Sequence, residues 1–432
     1  QAFIRLEISS GIALLAATAT ALIWANSPWD EEYFDLWHSV ISLDLSFLTL
    51  EEDLQHWVND GLMAVFFFVV GLEIKRELLH GELNSPRKAA LPMAAAIGGM
   101  VAPAAIYAAF NAGGEGAEGW GIPMATDIAF ALGVLALVGR GIPPQLRVFL
   151  LALAIVDDVG AILVIAVFYT ESLDTTALGV AGLLIITIVF MQRGGIRAIN
   201  PYWIVGIAFW VAVYESGIHA TIAGVILGLL TPSKAFIEHD EYAVRARTLL
   251  DDFSAAVDRG DEDRIEATIG ELERITARAQ SPLERLENTI HPWSSFVIVP
   301  IFALANAGIV ISGDVVSDAV SSPVSHGIVA GLVVGKLWGI LVMSWLVVRL
   351  RIAELPPGLT WNHIVGVALL GGTGFTVSLF ITDLAFAGEA PLADAKISVL
   401  FASAVAAAMG FTFLRLFGRS GSGGGAEASI PS

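Results

Sequence analysis

The chain has 432 residues, of which 56% are hydrophobic and only 15% charged, and it carries a formal net charge of −19. A soluble chain averages about 45–50% apolar and about 25% charged residues, whereas the apolar residues here gather into uncharged runs of roughly 17–25, enough for a helix to cross a ~30 Å hydrocarbon layer. This excludes a water-soluble globular protein, and the lack of cysteine excludes disulfides and thiol chemistry.

The composition predicts an all-α integral membrane protein of about 12 transmembrane helices. In chain order the spans fall at 8–24, 57–79, 89–110, 120–138, 146–169, 177–191, 202–214, 218–230, 293–311, 324–348, 364–384 and 392–416. The first run is read as a span and not as a cleavable signal. Between the first two spans, residues 39–50 (SVISLDLSFLTL) have the alternating, β-branched character of a short hairpin. Between the eighth and ninth, residues 238–280 are charged, with Leu249, Leu250, Phe253 and Val257, then Ile265, Ile269, Leu272 and Ile275 at helical spacing. They read as a helical hairpin broken at Arg259 and Gly260. The expected organisation is membrane helices 1–8 over 1–231, a cytoplasmic helical insertion over 232–291, membrane helices 9–12 over 292–416, and a disordered Gly/Ser-rich tail over 417–432.

Lys and Arg in short loops are retained on the cytoplasmic side. Of 23 Lys and Arg, all but Lys336 and Lys396 fall at the termini or in every second loop, and the intervening loops hold only acids. Twelve spans with both termini cytoplasmic satisfy this pattern.

An ionisable group at membrane depth costs about 2.5–3.5 kcal/mol on insertion scales, so such groups usually line an ion or proton path. Five candidates for that role lie within spans: Asp60, Asp127, Asp157, Asp158 and Lys336. Asp157 and Asp158, in LALAIVDDVGAILVIAV, point about 100° apart on a helix and can flank one cavity. Two such carboxylates titrate as a coupled unit. The unit can hold protons or, ionised, offer hard oxygen ligands to a small cation, and competition for one site is the chemistry of an exchanger. Lys336 is too deep to reach water, so Asp157 or Asp127 is its expected partner.

Two spans read as interrupted helices. The fourth holds Pro123 with Thr126 and Asp127, and the eleventh holds Gly371, Gly372, Thr373 and Gly374 in mid-run. Broken helices expose backbone ends that need compensating charge. Asp127 suits helix amino termini and Lys336 suits carboxyl termini. GGTGFT lacks the strand-to-helix context of a phosphate loop, so no nucleotide is expected.

The strings RLEISSGIALL, NDGLMAVFFFVVGLEIKREL, GWGIPMATDIAFALG, LALAIVDDVGAI, ESGIHATIAGV, SPLERLENTIHPW, PIFALANAG, GKLWGI and GGTGFTVSLFI together resemble the bacterial Na+/H+ antiporter A (NhaA) family, in order and over nearly the whole chain. The resemblance implies inverted repeats in spans three to five and ten to twelve, with the fourth and eleventh crossing; the family itself exemplifies inverted-repeat transporters with midplane binding. It further implies a secondary transporter, not an enzyme, that expels Na+ and Li+ for H+ across a bacterial inner membrane, electrogenically and under pH control. No catalytic residue and no cofactor is implied. Asp157 and Asp158 match the cation and proton carboxylates that would hold Na+, with Thr126 beside them, while Asp127 and Lys336 match the charges that balance helix ends. Glu73, Arg76, Glu77 and Glu287 on the cytoplasmic side, with His219 deeper in, match positions tied to pH response. The hairpin matches a dimer contact, so the implied partners are lipid and a second copy, with no nucleic acid. The loop before SPLERLENTIHPW is longer than in compact members, and Glu284 stands where those carry a basic residue. A Na+-coupled organic-anion symporter, a passive cation channel and a non-transporting pH sensor are the rival readings.

Overall fold

A computed structural model describes residues 2–45, 48–139, 141–170, 173–196, 199–386 and 389–418. The tail expected from 417 onward lies outside them beyond residue 418, as does the tip of the 39–50 hairpin at 46–47.

Among the described residues, eight helices are long and apolar enough to cross a membrane, two further spans are bent helix pairs, and two are shorter apolar helices. Each of the twelve expected segments is therefore helical. Helix α1 (Ala2–Ala25) is followed at a 118° bend by the short helix α2 (Asp30–Trp37), a segment read as loop from sequence. Strands β1 (Val40–Leu45) and β2 (Leu48–Asp53) form one antiparallel pair, with Val40 opposite Asp53 and Leu45 opposite Leu48. Helix α3 (Leu54–His80) follows, then α4 (Pro86–Asn111). The fourth span is a 3₁₀ turn (Ala117–Met124), an extended stretch at 125–127 and helix α5 (Ile128–Val138). Next come α6 (Pro144–Phe168), α7 (Thr175–Arg193), α8 (Ile199–Glu215) and α9 (Thr221–Leu230).

Helices α10 (His239–Arg259) and α11 (Glu262–Ala279) form the hairpin of the insertion, and Gly260 caps α10 at φ 68°, a left-handed turn that glycine enters without Cβ strain. The last spans are α12 (Pro282–Asn306), α14 (Pro323–Arg349), the pair α15 (Trp361–Leu370) and α16 (Phe375–Ala385) bent by 44°, and α17 (Glu389–Phe417). A short α13 (Gly313–Ser321) precedes α14.

Four spans, α4, α6, α12 and α14, begin at proline, whose missing N–H falls where a helix has no partner for it. Lipid supplies no hydrophobic drive between helices, so they are held by close packing. At the α4–α14 crossing a Cβ on Gly98 would lie 2.1 Å from the carbonyl oxygen of Gly339, so only glycine permits that approach. Helices α3 and α9 meet in the same way through Gly71, Gly224 and Gly228. The α4–α14 contact carries Lys336 into the bundle centre, one residue after a π-helical turn at Ala330–Gly335.

Candidate functional site

The two interrupted spans cross at their breaks, where Asp127 donates its backbone N–H to the carbonyl of Thr373 at 2.7 Å. Four helix ends converge there. The Asp127 carboxylate accepts from the N–H of Phe130 at 2.9 Å, capping α5, and from the N–H and hydroxyl of Thr376 at 3.2 and 2.5 Å, at the start of α16. Both ends are helix amino termini, where partial positive charge favours an anion. The broken backbone is otherwise closed locally: Thr373 Oγ1 donates to the Leu370 carbonyl, and Ser378 Oγ donates to that of Ile122.

On the other side of the crossing, Thr126 Oγ1 lies 2.7 Å from Asp157 Oδ2 and 2.9 Å from the Gly371 carbonyl at the end of α15. Its one proton serves one of these acceptors at a time. Lys336 Nζ donates to Thr126 Oγ1 at 3.0 Å and to Asp157 Oδ2 at 2.6 Å. Lys336 therefore pairs with Asp157, one of its two expected partners, and reaches the α15 carboxyl terminus only through Thr126. Lys336 and Asp157 are wholly buried and Asp158 is 3% exposed. Asp157 Oδ1 and Asp158 Oδ1 are both buried without a hydrogen-bond partner among the described residues. Two adjacent carboxylates thus keep an oxygen each for something other than the protein. These hard oxygens, with Thr126 Oγ1, are a donor set that suits a small hard cation.

The structure gathers Glu73, Arg76, Glu77 and Glu287 at one end of the bundle. Arg76 pairs with Glu287, which is 8% exposed, and lies 3.9 Å from Glu77. His291 joins them at 3.7 Å from Glu73, a residue that enters from sequence only within the string SPLERLENTIHPW. His219 lies elsewhere. Its Nε2 is 2.5 Å from the Tyr169 carbonyl, before the start of α9, whereas Lys75 Nζ binds the carbonyls of Leu229 and Thr231 at the other end of that helix. At about 1.5 Å per residue, the ten-residue α9 sets some 15 Å between them. Asp60 is also away from the crossing: it lies in a π-helical turn (Trp57–Leu62) and lines a small cleft with Glu52, His56, Trp210 and Tyr214.

Sequence reasoning missed Thr376 and Ser403, which bind at the crossing end of α16, and the buried pair of Asp383 with Lys396 near its other end. Ser403 Oγ accepts from Phe375 N–H at 3.1 Å, and Lys396 Nζ lies 2.7 Å from Asp383 Oδ1.

The family model described as Na+/H+ antiporter 1 matches residues 1–414. The chain belongs to this family. Similar members include the Na(+)/H(+) antiporter NhaA of Rhodopirellula baltica, 47% identical over 95% of this chain and 92% of that protein, and its namesake in Acidithiobacillus ferrooxidans, 47% identical over 96% of each. Another from Oleidesulfovibrio alaskensis is 47% identical over 96% of this chain and 93% of its own length. The Na+/H+ antiporter 1 family is one of membrane transporters and not of enzymes, as the resemblance implied, and the crossing of broken helices is the fold expected of it.

Proposed function

We propose that the chain exchanges Na+, and Li+ with it, for H+ through the buried pair Asp157 and Asp158. The observation that carries this reading is the pair of unpartnered carboxylate oxygens on adjacent residues, beside an ion pair whose cation, Lys336, is itself buried. Asp158 is the principal cation ligand because its charge has no cation of its own within hydrogen-bond reach. Asp157 shares its Oδ2 with Lys336 and Thr126, so it offers Oδ1 to the ion or takes a proton. Na+ requires ionised carboxylates and protons neutralise them, so the two cargoes exclude one another at a single site. Asp127 is taken by two helix amino termini and stays outside the exchange. Two titratable groups for one monovalent cation make the cycle electrogenic, and rocking of the helices about the crossing exposes the site to one side at a time.

The distribution of Lys and Arg supports an inner-membrane orientation with both termini cytoplasmic, which puts the Arg76–Glu287 cluster on the cytoplasmic side as a site of pH response. The hairpin then faces outward. Val40 and Ile41 on β1 are 62% and 43% exposed, and a strand edge of this kind pairs readily with a second copy, supporting a homodimer.

The test is in proteoliposomes bearing a pH gradient, with Na+, Li+ or K+ added and lumenal pH followed. Wild type moves protons on addition of Na+ or Li+, and Asp158→Asn does not. Na+ uptake that requires an organic solute, or proton movement that survives Asp158→Asn, would overturn the reading.

A further inference from the structure

Helix α16 carries the amino terminus that Asp127 receives, so whatever fixes α16 along its axis fixes one wall of the crossing. Two of the polar contacts that do so come from α17. Ser403 Oγ accepts from Phe375 N–H at the start of α16, at 3.1 Å, and Lys396 Nζ meets Asp383 Oδ1 near its end, at 2.7 Å. Lys396 and Ser403 are seven residues apart on α17, and Phe375 and Asp383 eight apart on α16. Seven and eight residues are about two helical turns, so each pair lies on one face of its helix, some 10–12 Å apart along the axis. The helices run antiparallel and meet at matched points.

The Asp383–Lys396 contact is costly to build. Both side chains are largely buried, at 13% and 9% exposure, and a buried ion pair recovers little net stability over an apolar pair of the same shape. Asp383 also sits two residues before the carboxyl end of α16, where the helix dipole disfavours an anion. Lys396 offsets both costs, and Asn59 of α3 stands beside the carboxylate, bonded in turn to Asn306 of α12. Such a device is a poor source of stability and a good source of register.

We propose that Asp383, Lys396 and Ser403 are positioning residues for cation exchange: α17 splints α16 at both ends and so sets where Thr376 meets Asp127 and where the crossing holds Thr126 against Asp157. None of the three touches the carboxylates of the pair. The inference rests on the site proposed above, and it predicts a change in cation affinity without loss of the exchange step. Loss of a contact to a metal-ligating side chain lowers affinity about 10–100-fold, and these residues act one contact further out.

The experiment is Na+-dependent exchange in proteoliposomes of the full chain, with Na+ varied at fixed pH. Asp383→Asn is expected to raise the apparent KM for Na+, by less than the about tenfold that loss of a contact to a metal ligand costs, while the rate at saturating Na+ is retained. Ser403→Ala, a smaller change that leaves the ion pair in place, is expected to raise KM in the same direction, and the swap Asp383→Lys with Lys396→Asp to bring it back toward wild type. Wild-type KM in both single variants, with only the yield of folded protein lowered, would overturn the inference. Asp158→Asn is measured alongside. If it still exchanges, the site reading falls and the splint with it; if it is inert while KM stays unchanged in the other variants, only the splint falls.

Discussion

Removing the cation from the Lys336–Asp157 pair is the sharpest perturbation the site offers. In Lys336→Gln, Asp157 keeps a single contact at Oδ2, the Thr126 hydroxyl, at zero exposure. Breaking a buried ion pair from one side costs about 3–5 kcal/mol, because the remaining charge is left uncompensated. Unfolding entropy is about 2.1 cal/mol/K per residue, so a chain of 432 residues changes by about 0.9 kcal/mol per degree and the variant should melt roughly 3–5 °C lower. Asp157→Asn strands Lys336 in the same way and should lose a similar amount. The double variant strands neither group, so its loss should be well below the sum of the singles. The assay is thermal unfolding of purified protein in detergent, as a double-mutant cycle, at two pH values. The deficit of Lys336→Gln should shrink at acid pH, because a protonated Asp157 leaves no buried charge behind. Additive losses, with the double variant down by the full sum, would refute the reasoning, since the two charges would then not be acting on each other.

Three further outcomes can be checked. Arg76→Ala removes the partner of the nearly buried Glu287 and should move the pH at half-maximal exchange, whereas His219→Ala, some 15 Å away along α9, should leave that pH in place; the pH profile of Na+-driven proton movement decides. Gly339→Ala would set a methyl 2.1 Å from the Gly98 carbonyl and should lower the yield of folded protein severely, while Gly179→Ala on α7, with nothing within 4 Å, should not; size-exclusion profiles in detergent compare them. Replacing residues 239–280 by a short Gly/Ser linker should retain exchange, because α10 and α11 add no residue to the crossing; loss of exchange in a well-folded deletion would show that the insertion takes part.

The centre of the site was legible because each of its charges interrupts an apolar run. Asp157, Asp158, Asp127 and Lys336 stand out in this way, and the Gly-rich break at 371–374 marks where one chain must yield to another. Asp383 and Lys396 fall inside the expected spans but within about a turn of their ends at 384 and 392, so although Lys396 stands apart from the loop pattern, only the packing of α16 on α17 shows that both are buried and paired. Thr376 and Ser403 are small polar residues of a kind common in membrane helices, and no pattern sets them apart until Asp127 and Phe375 are seen to bind them. His219 is set deeper than the Arg76 cluster by resemblance alone, and no spacing along the chain shows how much deeper; the structure puts the length of α9 between it and Lys75. Helices α2 and α13 were read as loop because both are short and acid-bearing, too short to give an apolar run.

The charges at the crossing explain why two broken helices are worth keeping there. An unbroken helix satisfies its own backbone and offers nothing to an ion, whereas the crossing opens two amino termini, which Asp127 holds, and a carboxyl terminus at Gly371, which Thr126 contacts. With Asp127 engaged, Lys336 supplies one positive charge against the two of Asp157 and Asp158 when both are ionised. The pair then carries an excess negative charge in a wholly buried place, a state that persists only while a cation or a proton relieves it. On the proposed reading a proton and a Na+ are alternatives for the same relief, and among the described residues no second buried cation stands within hydrogen-bond reach of Asp158 to supply it instead. Removing the excess charge instead, by Asp158→Asn, should leave the protein folded and unable to bind Na+, with isothermal titration showing the loss; Na+ binding that survives would mean that charge compensation is not what couples the two ions.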